Sequence, residues 1–200
     1  MEIVFWSLVS FLSGSLPFSV WVGRLVLRKD IRDYGDGNPG MTNVLRAGGK
    51  AWGIVAMLLD GLKGAIPVGL ARWVVGIEGW EMIPVALAPV LGHAFSPFLK
   101  FRGGKAVAVT FGVWTGLTFW QAPNLLGVSL ALGLAITAAD AWPVLVAMLA
   151  LLAYLLRGAV PDWMLALWAG NLGILLWKHR HELRRPPRLR PWLRRLFRLP

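Results

Sequence analysis

Apolar residues fall into long runs along this chain, separated by short groups of charged residues, glycine and proline. A hydrocarbon core about 30 Å thick needs about 20 apolar residues per crossing helix. Three runs are close to that length, at 3–22, 52–75 and 83–99. The first run lacks a basic start and a small-residue cleavage site, so we interpret it as a retained helix and not as a signal peptide. The pattern predicts an all-α integral membrane protein.

Four shorter apolar runs follow the third one. They occupy residues 106–120, 125–139, 142–156 and 163–177. A helix of about 15 residues rises only about 22 Å, which is short for a full crossing. We predict seven transmembrane helices; five, with two of the short segments fused or re-entrant, is the alternative. Residues 1–177 then form a single polytopic membrane domain, and residues 178–200 form a basic tail.

Composition agrees with a membrane protein. The 200 residues are 56% apolar and only 16% charged, whereas a soluble domain carries about 25% charged residues. The chain contains no cysteine, which excludes disulfide bonds and a cysteine nucleophile. Its few charged residues are unbalanced, with a net charge of +11 at pH 7.

The positions of the basic residues predict an orientation. With seven crossings, 18 of the 21 Lys and Arg residues lie on one side, Arg72 and Arg157 lie on the other, and Lys63 lies inside the second run. Lys and Arg accumulate on the cytoplasmic side of membrane proteins. We therefore expect the N-terminus outside and the C-terminus in the cytoplasm.

The basic tail contains a possible amphipathic helix that starts at Pro191. Trp192 and Leu196 would share one face of it, and Arg194 and Arg195 the other. Such a helix lies in a membrane interface and attracts anionic lipid headgroups. A solvated tail that only fixes the topology is the alternative. The tail holds no nucleic-acid-binding motif, so nucleic acid is not a predicted partner.

A first group of unusual residues, 30–50, lies on the predicted cytoplasmic side, and its core is 35–46. Glycine and proline fill the first half of this core, where positive φ angles turn backbone N–H groups in one direction. Thr42, Asn43 and Arg46 follow at helical spacing. A glycine turn that leads into a helix, with an arginine one turn later, suggests an anion site; a plain interhelical loop is the alternative.

A second group, 101–105, opens the fourth apolar run on the same side with Gly103, Gly104 and the two basic residues Arg102 and Lys105. Two glycines at a helix start allow close approach of a ligand, and unpaired N–H groups beside a lysine favour phosphate. The spacing of a Walker loop is absent. A topology signal with a flexible hinge is the alternative interpretation.

Two further features involve single titratable residues. His179 follows the last apolar run beside an arginine, where a histidine can carry a proton or donate to a phosphate; an interfacial histidine with neither role is the alternative. Asp60 and Lys63 lie three residues apart inside the second run, and charged groups at that depth must face protein or water. A structural ion pair and a ligand role for Lys63 both remain open.

Together these motifs resemble a known family, the acyl-phosphate:glycerol-3-phosphate acyltransferases of bacterial membranes. The resemblance is carried by residues 14–18, 37–46, 60–64, 92–95, 98–105 and 179–180. It implies transfer of a fatty acyl group from acyl phosphate to sn-glycerol 3-phosphate in the bacterial plasma membrane, giving lysophosphatidic acid, the first step of phospholipid synthesis. It implies no metal and no organic cofactor.

The resemblance also assigns roles to residues. His179 would orient or deprotonate the glycerol hydroxyl or bind its phosphate, which makes it the candidate catalytic residue. The candidate substrate-binding residues are Asp36, Asn38, Thr42, Asn43, Arg46, Lys63, Gly103, Gly104 and Lys105. Asn43 and Arg46 would hold one phosphate, and the second group the other.

Three positions depart from the family pattern. Asp36 stands where serine is usual, Ala106 where glycine is usual and Glu182 where asparagine is usual. A carboxylate that faces a phosphate is repelled unless it is neutralised. One alternative is therefore an inactive or substrate-shifted family member that binds lipid or phosphate. A small transporter is the other, suggested by Asp60 and Lys63 inside the membrane.

Overall fold

The computed structural model describes residues 1–138, 141–158 and 160–197, and these form ten α-helices. The helices are α1 Glu2–Ser15, α2 Phe18–Val22, α3 Met41–Arg46, α4 Lys50–Trp73, α5 Met82–Ala94, α6 Val107–Thr118, α7 Gln121–Ile136, α8 Ala141–Arg157, α9 Asp162–Leu183 and α10 Pro191–Leu196. Each predicted apolar run corresponds to one helix, except the first, which is divided between α1 and α2. The all-α prediction is confirmed for the described residues, while position 139, at the end of the fifth run, lies outside them.

Three helical stretches are long and apolar enough to cross a membrane, judged by length and composition in the described part of the chain. They are Glu2–Leu27, Lys50–Trp73 and Gly79–Leu99. Helices α6, α7 and α8 are apolar but shorter. The first three predicted spans are therefore confirmed as candidate spans, and the total of seven stays a prediction.

The first span is interrupted at Leu16. This residue precedes Pro17 and has an extended ψ of 122°, because the proline ring disfavours the helical conformation of the residue before it. The Leu16 carbonyl oxygen instead accepts a hydrogen bond from Lys63 Nζ, at 2.7 Å. Helix α4 thus stabilises the interruption in its neighbour.

Helices α4 and α6 pack closely through small residues. A Cβ added at Gly64 would come within 2.8 Å of the Val109 carbonyl oxygen, and one added at Gly112 would overlap the carbonyl of Gly61. Small residues at a membrane helix interface let two backbones approach each other. The start of α6, which follows the second glycine group, is therefore held firmly against α4.

Polar groups in the centre of the bundle bond to one another. Trp114 is completely buried, and its Nε1 donates to Asn171 Oδ1 at 3.1 Å. Asn171 Nδ2 in turn donates to Thr110 Oγ1 at 3.0 Å. Because water is scarce in such a core, these mutual hydrogen bonds spare three polar groups a desolvation penalty and link α6 to α9.

The tail folds back onto the end of α7. The Ala138 N–H donates to the Arg188 carbonyl at 2.8 Å, and the Arg190 N–H donates to the Ile136 carbonyl at 2.9 Å. Helix α10 begins at Pro191 as predicted, and Trp192 Nε1 donates to the Ala135 carbonyl at 3.1 Å. The last three residues of the predicted tail lie outside the described residues.

Candidate functional site

The loop before α3 is organised by Asn43. This side chain is buried, and its Nδ2 donates to the Asn38 carbonyl at 2.9 Å and to Asp36 Oδ1 at 3.0 Å. Its Oδ1 accepts from Arg46 Nη1 at 3.0 Å. Gly35 has a φ of +60°, and a Cβ there would overlap the Arg46 guanidinium. The glycine is required for the contact between the loop and Arg46.

Lys105 joins this loop to α9. Its Nζ lies 2.5 Å from Asp36 Oδ2 and also forms an ion pair with Glu182. Arg46 Nη1 lies 3.8 Å from Asp36 Oδ1. We call these four residues, Asp36, Arg46, Lys105 and Glu182, the charged cluster. Three regions that are far apart in the sequence thus converge at one end of the bundle.

The contacts within the charged cluster favour the ionised forms of Asp36 and Lys105. Partial burial opposes ionisation of Asp36, but the hydrogen bond and the charge of Lys105 hold the pKa of its carboxyl below the usual value. Partial burial also opposes the charge of Lys105, and the hydrogen bonds to Asp36 and Glu182 raise its pKa above the usual value. Lys105 is therefore a cation near neutral pH.

The glycines of the second group pack against the protein itself. A Cβ added at Gly103 would overlap the His93 carbonyl, and one at Gly104 would overlap the His93 ring. The Gly104 N–H donates to the His93 carbonyl at 3.0 Å. Close packing on α5 therefore explains both glycines, and it fixes the backbone that presents Lys105.

Ala106, one of the three departures from the family pattern, has a strained backbone. It precedes α6 with φ 64° and ψ 13°, the left-handed conformation, and it is buried. That conformation costs a residue with a Cβ about 1–2 kcal/mol. Glycine would adopt it freely, which gives the position a conformational reason for the glycine that the family pattern has there.

Lys178 is a contributor that the sequence interpretation did not include among the binding residues. Its Nζ donates to the carbonyl oxygens of Ala94 at 2.9 Å and Gly103 at 3.0 Å. It thus ties α9 to the end of α5 and to the glycine loop. In the sequence it is the basic residue directly before His179 at a membrane end, with no signal for the carbonyl oxygens that it contacts.

His179 lies beside the charged cluster on α9, three residues before Glu182. Its ring is buried, and Nδ1 lies 2.9 Å from the Leu175 carbonyl oxygen. A carbonyl can only accept a hydrogen bond, so Nδ1 carries the proton and the lone pair of the neutral ring is on Nε2. This is the tautomer in which Nε2 can act as a base.

Lys63 has structural partners. Its Nζ lies 2.7 Å from Asp60 Oδ1 and 2.7 Å from the Leu16 carbonyl, and both charged side chains are almost fully buried. Ser19 Oγ donates to Asp60 Oδ2 at 2.5 Å. A small cavity separates this pair from the glycine loop and is lined also by His93 and Gly104. A ligand role for Lys63 stays a prediction.

The structure therefore brings most of the predicted site residues together. Asp36, Asn38, Asn43, Arg46 and Lys105 are linked by the contacts above. Gly103 and Gly104 fix the backbone that precedes Lys105. His179 lies on α9 one turn before Glu182, which pairs with Lys105. Thr42 is exposed in the first turn of α3. These residues give a helical membrane protein with cationic and amide donors at one end of the bundle and a buried histidine on the helix that carries Glu182. Such an arrangement is suited to phosphate-bearing molecules.

Comparison with known proteins places the chain in a family. A family model described as glycerol-3-phosphate acyltransferase matches residues 4–187. Glycerol-3-phosphate acyltransferase 1 of Thermotoga maritima is 37% identical over 192 residues, covering 88% of this chain and 94% of the relative. Glycerol-3-phosphate acyltransferase of Aromatoleum aromaticum is 39% identical over 180 residues, covering 89% of each chain.

A solved structure agrees over the whole fold. The crystal structure of PlsY (YgiH), an integral membrane glycerol 3-phosphate acyltransferase, in its glycerol 3-phosphate form has a TM-score of 0.85 and 28% identity. It covers 98% of this chain and 100% of that one. The chain belongs to the glycerol-3-phosphate acyltransferase family of integral membrane enzymes. The resemblance inferred from the motifs is thereby confirmed, and neither the transporter nor the inactive relative is favoured.

Proposed function

We propose that this protein transfers a fatty acyl group from acyl phosphate to the 1-hydroxyl of sn-glycerol 3-phosphate at the bacterial plasma membrane. The products are lysophosphatidic acid and inorganic phosphate. The observation that carries the proposal is the convergence of Asn43, Arg46 and Lys105 with Glu182, which lies one helical turn after His179, at the end of a bundle of apolar helices. The related PlsY has been solved in glycerol 3-phosphate and lysophosphatidic acid forms.

The chemistry needs little from the protein beyond positioning and charge. The glycerol oxygen attacks the acyl carbon, the bond between that carbon and the phosphate oxygen breaks, and the phosphate leaves with the bonding electrons. Acyl phosphate is a mixed anhydride with a good leaving group, so fixed geometry and nearby cations supply most of the acceleration. No covalent intermediate on the enzyme is required.

His179 is the proposed base. The Leu175 carbonyl fixes the proton on Nδ1, so Nε2 carries the lone pair that is proposed to take the hydroxyl proton as the new ester bond forms. Asn43 and Arg46, with Asn38 and Thr42, are proposed to hold one phosphate, and Lys105 on its glycine loop the other. Each pairing sets a cation or an amide against a phosphate, which strengthens hydrogen bonds.

We also propose seven crossings with the N-terminus outside. Three contacts agree with seven crossings because each joins segments that seven crossings place on the same side of the membrane, while the distribution of Lys and Arg supports the orientation. Lys105 meets Glu182, and Ala138 meets Arg188, on the cytoplasmic side. The Arg72 guanidinium lies 5.5 Å from the ring of Trp163 on the outer side.

The chain offers a direct topology test because it has no cysteine of its own. A single cysteine at Asp33 should react with an impermeant thiol reagent only after the cells are opened. A single cysteine at Glu78 should react in intact cells. The reverse pattern would overturn the orientation, and equal labelling of both in intact cells would overturn the odd number of crossings between them.

The activity test uses purified protein in bicelles with palmitoyl phosphate and radiolabelled glycerol 3-phosphate. Labelled lysophosphatidic acid should form, and palmitoyl coenzyme A should not replace the donor. His179→Ala should lower kcat at least about 100-fold, as expected for loss of a general base, whereas His181→Ala, a nearby exposed histidine, should not. A folded protein without product would refute the proposed reaction, and an active His179→Ala variant would remove the base assignment.

A further inference from the structure

The donors of the proposed phosphate site converge on a carboxylate of the protein itself. Asp36 Oδ2 is 2.5 Å from Lys105 Nζ, and Oδ1 accepts from Asn43 Nδ2 at 3.0 Å. Arg46 Nη1 lies 3.8 Å from the same Oδ1. A single internal anion therefore engages three groups that are proposed to bind substrate phosphate.

A phosphate cannot simply be added beside this carboxylate. Two anions on the same donors repel each other, and a partly buried site screens that repulsion only in part. The pKa of Asp36 lies below its usual value, so protonation does not remove the conflict near neutral pH. Either the phosphate replaces Asp36 on these donors or it binds elsewhere.

The other contacts of the charged cluster do not depend on Asp36. Lys105 carries three N–H groups and keeps its ion pair with Glu182 on α9. Asn43 keeps its hydrogen bond to the Asn38 carbonyl at 2.9 Å. Asp36 itself lies on a loop between two glycines, and its side chain is 38% exposed. The side chain can therefore rotate into solvent.

We propose that Asp36 is a specificity-determining residue that competes with the phosphate of the acceptor for Asn43 and Arg46, with its ion pair to Lys105 opposing its displacement. This inference rests on the proposed function. Glycerol 3-phosphate, a dianion at neutral pH, displaces the single charge of Asp36, whereas an uncharged polyol does not. The affinity for the acceptor therefore depends on how readily its phosphate replaces the Asp36 carboxylate on the shared hydrogen-bond donors.

The test is Asp36→Asn, which keeps the size of the side chain and an oxygen for the Asn43 amide. A partly exposed ion pair changes an equilibrium about two- to fivefold, so the KM for glycerol 3-phosphate should fall about fivefold while kcat stays within about twofold. Inorganic phosphate should become a stronger competitive inhibitor by the same factor. Asp33→Asn is the matched control, because it removes an exposed charge from the same region outside the cluster and should leave KM unchanged.

A KM that is unchanged or raised in Asp36→Asn would overturn the proposal, since Asp36 would then be needed to build the site. Calorimetric binding of glycerol 3-phosphate to the purified variants separates this outcome from a failure of the proposed reaction. If the wild-type protein makes no lysophosphatidic acid, tighter binding of glycerol 3-phosphate by Asp36→Asn still supports displacement. Equal or weaker binding refutes it.

Discussion

Replacing Lys63 by methionine probes the buried ion pair at the interruption of the first span. Methionine keeps the length of the side chain but removes the ammonium that lies 2.7 Å from both Asp60 Oδ1 and the Leu16 carbonyl. Asp60 would keep only the hydrogen bond from Ser19 among these contacts. The change therefore leaves one charge and one carbonyl without their partner in the interior.

The expected loss of stability follows from the burial of both groups. Removing one partner of a buried ion pair costs about 3–5 kcal/mol, which corresponds to a Tm lower by on the order of 10 °C for a chain of this size. In the double variant Asp60→Asn with Lys63→Met, no charge is left unpaired. Only the Leu16 carbonyl then lacks its donor, at about 1–3 kcal/mol, so the double variant should be more stable than Lys63→Met alone.

Thermal unfolding of the purified variants in one detergent measures both effects, and Lys50→Met at the exposed start of the same helix is the matched control. Lys63→Met should unfold well below the control, with the double variant between them. A Tm equal to that of the control, together with a raised KM for glycerol 3-phosphate, would refute the structural reasoning and favour a ligand role for Lys63. A double variant less stable than Lys63→Met would show that the two side chains do not act as a pair.

Three further predictions concern Arg46, Ala106 and the two ion-paired residues Asp30 and Asp36. Arg46→Ala should lower kcat/KM for glycerol 3-phosphate about 10- to 100-fold, the value of one charged hydrogen bond, and full activity would remove Arg46 from the phosphate site. Ala106→Gly should raise stability by about 1 kcal/mol by relieving the left-handed φ of 64°, seen as a higher Tm; a lower Tm would contradict the strain. The third concerns acid: Arg32 and Arg24 lower the pKa of Asp30, and Lys105 lowers that of Asp36. The stabilisation by these two carboxylates is complete above the unfolded pKa of about 3.9 and is lost as the pH falls through the folded pKa. Acidification from pH 5 should therefore lower the Tm of the wild type more than that of a double Asp30→Asn and Asp36→Asn variant. Equal decreases in Tm would contradict this reasoning.

The helices could be predicted from the sequence because apolar runs of sufficient length leave few other structures possible in a membrane. Their ends were less predictable. Helix α9 continues past the end of the last apolar run, at position 177, to Leu183, and its final turns bond to other segments through Lys178 and Glu182. The interruption at Leu16 has a local signal in Pro17, but its stabilisation by Lys63 depends on a contact across 47 positions.

The residue types of the site were recognisable, whereas their partners were not. Glycines beside Arg46 and Lys105 indicate an anion site by local chemistry alone. The same local view suggested that Gly103 and Gly104 open space for a ligand, while the structure explains both by contact with His93. A glycine in a sequence shows that something approaches the backbone closely, and only the fold tells whether it is a substrate or another helix.

Asp36 and Glu182 illustrate the same limit for charge. In the sequence they are two separate acidic departures, 146 positions apart, and each alone suggests repulsion of a phosphate. In the structure both pair with Lys105. Each carboxylate therefore changes how strongly the other is attracted to that lysine. Glu182 keeps Lys105 in place when Asp36 leaves, and Asp36 limits how strongly Lys105 attracts any anion. The two carboxylates therefore act together on one lysine and are not two independent departures from the family pattern.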